Sequence, residues 1–255
     1  MEMNKRRQQI LNILQKTPDC SVNDLIKHFD VTPATIRRDL AHMAETGEIR
    51  RTHGAVHLAE PSSVPGYNTR NDDFSYEKIE IARAASKLIS EKDSVILDSG
   101  TTTCAIAAFI TERPELNIIT NSVAVITAAP DAKATIMLTG GTYEPKNRAL
   151  IGPDAEAVFE RISASILFLG TTGIRGCDGL TTATPFQASI KQKMIACAQK
   201  RVLVCDNSKF EKNSMFLFAS FKDIDTIITA YPITDPKMIQ HLDRCEVERI
   251  SAING

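Results

Sequence analysis

The 255-residue sequence predicts an α/β chain in two parts: a small helical head with a β-hairpin over residues 1–58, and a larger α/β domain with a mostly parallel sheet over residues 77–255. Three observations carry that expectation. Residues 1–47 hold three apolar patterns at helical spacing. Residues 49–58 read as two short strands around a glycine. From Glu77 onward, helical patterns alternate with short β-branched runs.

Composition sets outer limits. Hydrophobic residues make up 43% and charged residues 24%, the balance of an ordinary soluble globular protein. No apolar run approaches the ~20 residues of a membrane span, and "MEMNKRRQQI" lacks the apolar core of a secretory signal. The expected location is the cytoplasm, with no membrane partner. The six cysteines are scattered without a C-x-x-C pair or a histidine cluster, so reduced thiols are expected, with neither a metal site nor a disulfide framework. The net charge of −1 divides unevenly: Met1 to His57 holds nine of the 30 basic and seven of the 31 acidic residues. That asymmetry is mild, so the placement of charge matters more than its sum.

In the head, Ile10, Leu11, Ile13 and Leu14 give a first helix an apolar stripe. "SVNDLIKHF" opens with Ser21 as N-cap and Asp24 three residues on, an acidic variant of the capping box, with Val22, Leu25, Ile26 and Phe29 at helical spacing. Thr32 caps a third helix, Pro33 takes its first position and Gly47 is placed to end it. Two short helices joined so tightly make a helix-turn-helix candidate. Ile36, Leu40 and Met43 recur at i, i+4 and i+7 and face the core, which turns Ala34, Thr35, Arg37, Arg38 and Ala41 outward or to the flank. A recognition helix presents its N-terminal residues to base edges in the major groove, where arginine can bridge guanine. "EIRRTHGAVHL" adds two short strands, Ile49 to Thr52 and Ala55 to Leu58, around His53 and Gly54. In such a wing Arg50, Arg51 and His53 would lie beside phosphates, which position a protein without reading sequence. The candidate DNA contacts are Ser21, Thr32, Ala34, Thr35, Arg37, Arg38, Arg50, Arg51, His53 and Gly54.

The stretch "SVNDLIKHFDVTPATIRRDLAHMAETGEIRRTHGAV" resembles the winged helix-turn-helix of the DeoR family of bacterial transcriptional regulators, most specifically in "TIRRDL" and in the arginine-rich wing ending His-Gly. It departs at Ala55, where the family usually has a second glycine. The resemblance implies binding to double-stranded operator DNA.

Residues 59–76, "AEPSSVPGYNTRNDDFSY", carry two prolines, a glycine and no periodic apolar pattern, and are expected to link the domains. Beyond them "EKIEIARAASKLI", "TCAIAAFI" and "FQASIKQKMIACAQ" read as helices, and "SVIL", "NIIT", "ATIMLT", "SILFLG", "RVLVC" and "DTIITA" as strands. Open α/β sheets bind ligands beyond the carboxyl ends of their strands. Here those ends are followed by Asp98, Ser99, Gly100, Thr101, Thr102 and Thr103; by Thr120, Asn121 and Ser122; by Gly140 and Gly141; by Gly170 and Thr171; and by Asp206 and Lys209. Hydroxyls, amides and carboxylates suit a polyhydroxylated ligand. The helix start at "SGTTT" suits a phosphate, with Arg148, Lys191 and Lys209 as candidate countercharges.

The runs "LDSGTTT", "TNS", "LTGGTY", "FLGTTGI", "DGLTT" and "DNSKF" resemble the sugar-phosphate-sensing domain of the same family, so the resemblance spans nearly the whole chain. It implies a Rossmann-like fold similar to the ribose-5-phosphate isomerase and glucosamine-6-phosphate deaminase group. The family commonly has a glutamate where this chain has Gln187, and Asn and Glu where it has Thr184 and Pro185. Gln187 is therefore a candidate effector contact of altered chemistry.

Two function classes follow. A repressor of a carbohydrate catabolic operon would be released from DNA by a phosphorylated sugar, would need no cofactor, and would act as a homodimer or homotetramer, because one small head makes too few contacts. A sugar-phosphate isomerase or deaminase carrying an appended head would need a general base at a sugar carbon. Asp98, Asp178 and Asp206 could serve, but the only histidine of the large domain, His241, is far in sequence from the strand-end motifs, and Gln187 cannot act as a base. With no known catalytic motif present, the expectation is a regulator and not an enzyme. RNA binding is disfavoured by the lack of an aromatic-rich strand motif and of tryptophan.

Overall fold

The computed structural model describes residues 3–16, 20–45, 49–51, 55–58, 67, 70 and 75–253. The chain divides into two compact units, Met1–Asp73 and Phe74–Gly255.

The first unit runs α1 (Met3–Lys16), β1 (Cys20–Ser21), α2 (Val22–Ile26), α3 (Pro33–Glu45), β2 (Ile49–Arg51) and β3 (Ala55–Leu58). The three strands form an antiparallel sheet in the order β1-β3-β2. The two-residue β1 was not expected, since so short a strand shows no period-2 pattern. Helix α2 starts where Ser21 accepts the Asp24 N–H and stops earlier than its apolar spacing suggests. Three successive i→i+3 bonds, from the N–H groups of Lys27, His28 and Phe29, tighten the turn and bring Phe29 into the core. Ile10, Leu14, Leu25, Ile36, Leu40, Met43 and Val56 are fully buried around it.

The second unit is built on a seven-stranded, wholly parallel sheet in the order β15-β14-β12-β9-β4-β5-β6. In chain order its elements are α4 (Ser75–Ser86), β4 (Ser94–Leu97), α5 (Thr101–Ile110), β5 (Asn117–Thr120), α6 (Val123–Ala128), β6 (Thr135–Leu138), β7 (Thr142–Glu144), β8 (Ala149–Ile151) and α7 (Pro153–Phe159). They continue with β9 (Ala164–Leu169), β10 (Gly173–Arg175), β11 (Gly179–Thr182), α8 (Pro185–Cys197), β12 (Ala198–Val204), β13 (Phe216–Ala219), β14 (Thr226–Thr229), α9 (Pro236–Arg244) and β15 (Glu248–Ser251).

Central strands are apolar on both faces because helices cover both. Ile166 and Phe168 of β9 pack with α4 and α5 residues such as Ile81 and Ile106, while Leu167 and Leu169 pack with Phe159, Met194 and Leu242 of α7, α8 and α9. Helix starts follow local chemistry. Thr184 accepts the Gln187 N–H with Pro185 at the first position of α8, and Asp235 accepts the Lys237 N–H with Pro236 at the first position of α9. The helical run read through Gln199 ends at Cys197; Ala198 turns extended and begins β12 at once, pairing with Ala164. Two small antiparallel sheets, β7-β8 and β10-β11-β13, had no counterpart in the expected alternation.

The chain leaves β4 through β5 and β6 in one direction and returns through β9, β12, β14 and β15 in the other. β4 and β9 therefore flank the point where the winding reverses, and their carboxyl ends open into the crevice that such sheets use for ligands.

Candidate nucleic-acid interface and sensor site

On the head, α3 turns Thr32, Pro33, Ala34, Arg37 and Arg38 to solvent and leaves Thr35 and Ala41 half-buried. Neither the Arg37 nor the Arg38 guanidinium has an ion pair or hydrogen bond among the described residues. Thr35 bonds the Thr32 hydroxyl at 2.8 Å, and its N–H meets the same oxygen at 3.3 Å. Ser21 is occupied by capping: its hydroxyl donates to the Asp24 carboxylate at 2.7 Å and accepts the Asp24 N–H at 3.0 Å. Lys27 and then Ser21, by hydrogen bonding, hold that carboxyl below the usual carboxylate range. Arg50 and Arg51 lie in β2, paired with His57 and Val56 of β3. His53 and Gly54 fall outside the described residues.

The head also holds a feature the sequence did not betray. Asp39, the acid beside the exposed arginines, is buried, and its Oδ2 accepts the Arg6 Nε–H at 2.5 Å while Arg7 Nε lies 3.5 Å from its Oδ1. Two arginines of α1 thus meet one carboxylate of α3, and α3 is keyed to its neighbour by charge.

In the second unit, Asp98 follows β4 and is completely buried. Its Oδ2 accepts the Gly170 N–H at 2.9 Å from the end of β9 and pairs with the Lys191 ammonium of α8. Lys191 also donates to the Gly170 carbonyl at 3.0 Å and lies 5.4 Å over the Phe218 ring. A Cβ at Gly170 would stand 3.3 Å from Asp98 Oδ2, so glycine leaves room for this approach.

Several candidate hydroxyls are committed to holding the loops. Thr103 Oγ1 donates to the Asp98 carbonyl at 2.6 Å and accepts the Gly100 N–H at 2.9 Å. Thr120 bridges to the Leu97 carbonyl at 2.6 Å, and Thr171 donates to the carbonyls of Gly173 and Thr181. By contrast, the hydroxyls of Ser99, Thr101 and Thr102 have no partner among the described residues. The first N–H groups of α5, at Thr101 and Thr102, lack intrahelical acceptors by position.

Around this helix start, four buried side-chain atoms accept no hydrogen bond among the described residues: Asp98 Oδ1, Asn121 Oδ1, Ser122 Oγ and Asp206 Oδ2. They follow β4, β5 and β12, all within the central part of the sheet. Asn121 is held by donating to the Leu150 carbonyl at 3.0 Å, and Asp206 by accepting from Ser208, with Lys209 Nζ 3.8 Å from Oδ2. Buried polar atoms in native proteins nearly always have partners, so these four are candidates to meet a polar ligand or water. Cys205, beside Asp206, contributes no thiolate: burial, and then the Asp206 charge, push its thiol up.

The other candidates sit further round the sheet's carboxyl side. Gly140 and Gly141 follow β6 with φ of 73° and 103°, and Arg148 lies in the β7–β8 turn, its carbonyl accepting the Val123 N–H. Gln187, in the first turn of α8, accepts from the Thr182 hydroxyl at 2.7 Å and donates to the Glu144 carboxylate of β7 at 2.7 Å. Asn147 donates to the same carboxylate at 2.5 Å. Glu144 escaped sequence reading because Gln187 lies 43 residues further along the chain; Thr182 stands only five residues before Gln187, but nothing in the sequence pattern ties the two side chains together. No helix among the described residues is long and apolar enough to cross a membrane.

Comparison with known proteins defines the class. The DeoR-like helix-turn-helix domain matches residues 6–62, and the DeoR C-terminal sensor domain matches residues 74–231. The HTH-type transcriptional regulator IolR of Bacillus subtilis is 31% identical over 84% of this chain and 86% of its own length. The HTH-type transcriptional regulator GlpR of Haloferax volcanii is 34% identical over 88% and 89%, and the transcriptional repressor AccR of Agrobacterium fabrum 32% identical over 88% of each chain. Among solved structures, ribose 5-phosphate isomerase A of Methanocaldococcus jannaschii aligns with a TM-score of 0.40 at 15% identity, over 53% of this chain and 54% of that one. A DNA-binding head joined to a parallel-sheet sensor domain is the plan of a helix-turn-helix transcriptional regulator. The chain belongs to the DeoR family.

Proposed function

We propose that this regulator represses a carbohydrate catabolic operon and leaves its operator when a phosphorylated sugar enters the crevice at the switch between β4 and β9. The observation that carries this reading is the set of four buried oxygens without a hydrogen-bond partner among the described residues that follow β4, β5 and β12 on the carboxyl side of the sheet. Three of the four can only accept, so the ligand's buried end must be rich in donors, as a chain or ring of hydroxyls is. The anionic end then belongs at the start of α5, where backbone N–H groups and the hydroxyls of Thr101 and Thr102 are free to donate. Lys191 is already paired with Asp98 and positions that carboxylate. Lys209, which pairs with Asp206 at 3.8 Å, holds a second carboxylate in the same way. On the head, Ala34, Thr35, Arg37 and Arg38 face base edges, Arg50, Arg51 and His53 face phosphates, and two copies act together on one operator.

Binding of the two ligands is then coupled. Typical coupling energies of about 1–3 kcal/mol act equally in both directions. Titration of a sugar phosphate into the protein with and without operator DNA tests this. The same factor of about 5–150 should separate the two sugar affinities and the two DNA affinities. Equal sugar affinity in both titrations would remove the release mechanism. Incubation with sugar phosphates should return them unchanged; turnover would favour the isomerase-like or deaminase-like alternative.

A further inference from the structure

β6 ends the seven-stranded sheet and pairs only with β5. Native edge strands are ordinarily protected by charge, proline, a bulge or a covering element, because their unpaired N–H and C=O groups template another strand. Nothing in the sequence around β6 gives that protection: Ala134 to Tyr143 reads "ATIMLTGGTY", ten residues without a charge or a proline. The Thr135 N–H donates to the Leu116 carbonyl and the Thr139 N–H to the Thr120 carbonyl, each at 3.1 Å. By the alternation of a parallel ladder, residues 135, 137 and 139 spend their backbone groups on β5. Those of Ile136 and Leu138 therefore point away from the sheet, with no partner among the described residues. Met137 is 48% and Leu138 39% exposed, on opposite faces of the strand, and Tyr143 is 48% exposed.

We propose that β6 is a self-association surface, on which β6 of a second copy pairs antiparallel across a two-fold axis. Such a contact is self-complementary: each copy offers the same outward N–H and C=O groups that the other lacks. The uncharged stretch lies against itself without like charges in opposition, and it offers a charged partner nothing to recognise. Another exposed apolar set, Phe186, Met215 and Leu217, differs in that Arg175 already donates to the Ser214 and Met215 carbonyls beside it. The proposal rests on the reading that two copies share one operator.

Sedimentation equilibrium of the full chain across a wide concentration range tests it, with wild type, Met137→Glu, Leu138→Pro and the control Met215→Glu. Leu138→Pro removes an outward N–H and no bond to β5. Far-UV circular dichroism and thermal unfolding establish that each variant is folded, and the exposed position of Met137 provides a second route should the proline disturb the strand. Wild type is expected to self-associate, both β6 variants to dissociate about tenfold or more readily, and Met215→Glu to match wild type. Folded β6 variants that associate as wild type does, or dissociation by Met215→Glu alone, would overturn the surface and leave the shared-operator reading standing. A monomeric wild type would overturn both.

Discussion

The Lys191 ammonium, from α8, closes on Asp98 Oδ2 at the end of β4, and both side chains are buried. Three elements are joined there, because Gly170 at the end of β9 donates its N–H to the same carboxylate oxygen and offers its carbonyl to Lys191. The pair fixes the carboxyl ends of β4 and β9 against α8, and Asp98 Oδ1 stays buried without a hydrogen-bond partner among the described residues.

Breaking one side of that pair strands a buried charge. Lys191→Met should therefore lower unfolding free energy by about 3–5 kcal/mol, measured by urea unfolding of the full chain. Adding Asp98→Asn should return part of the loss, since two neutral groups need no countercharge. A double variant as unstable as the sum of the singles would show that the two groups act independently.

Asp39 offers a parallel test in the head. Asp39→Ala leaves Arg6 buried opposite no carboxylate and should destabilise the first unit by about 3 kcal/mol or more. Hydrogen exchange should show faster exchange in α1 and α3 with the sheet of the second unit unchanged. Asp39→Asn retains an acceptor for Arg6 and should lie between the two.

Arg37 and Arg51 should separate by kind of contact. Arg37→Ala is expected to cost about 1–3 kcal/mol on the preferred sequence and to relax the preference, while Arg51→Ala weakens all duplexes alike and lowers the salt slope by about one. Fluorescence anisotropy across salt concentrations, with selected and scrambled duplexes, distinguishes them. Identical behaviour would cancel the division between base-reading helix and phosphate-facing wing.

Gln187→Glu should make stability fall with pH. The substitution places a carboxylate where the wild-type amide donates to Glu144 at 2.7 Å. Like charges so close disfavour joint ionisation, so the folded variant holds a proton that the unfolded chain releases. The stabilising protonated form is present at low pH and lost as pH rises. Thermal melts should show the variant falling increasingly below wild type between about pH 5 and about pH 8.

Gly141→Ala tests the tight turn after β6. Its φ is +103°, and a Cβ would meet the Ile151 carbonyl oxygen at 2.7 Å and Ala155 Cβ at 2.9 Å. A loss of about 1–3 kcal/mol is expected in chemical denaturation.

Much of this was legible because it is local. Thr32-Pro33 and Ser21-x-x-Asp24 announce helix starts from within one turn, and Ile36, Leu40 and Met43 reveal the buried side of α3 by period alone. The apolar runs of β4, β5, β9, β12 and β14 were equally plain, since both sheet faces are covered. β1 was invisible at two residues, and β13 was hidden because its partner β11 lies more than thirty residues away.

By itself the sequence determined the two-part plan, the strand and helix alternation, the exposed arginines of α3, and the polar residues that follow each strand. Period, capping and turn chemistry act between near neighbours, and a single chain displays them. Tertiary structure alone decided what those residues are free to do. It brought Arg6 to Asp39, Lys191 to Asp98 and Gln187 to Glu144, 33, 93 and 43 residues apart in the chain. A buried charge or amide must find a partner wherever the fold supplies one. Hence the hydroxyls of Thr103, Thr120 and Thr171 became struts, while oxygens of Asp98, Asn121, Ser122 and Asp206 stayed buried without a hydrogen-bond partner among the described residues.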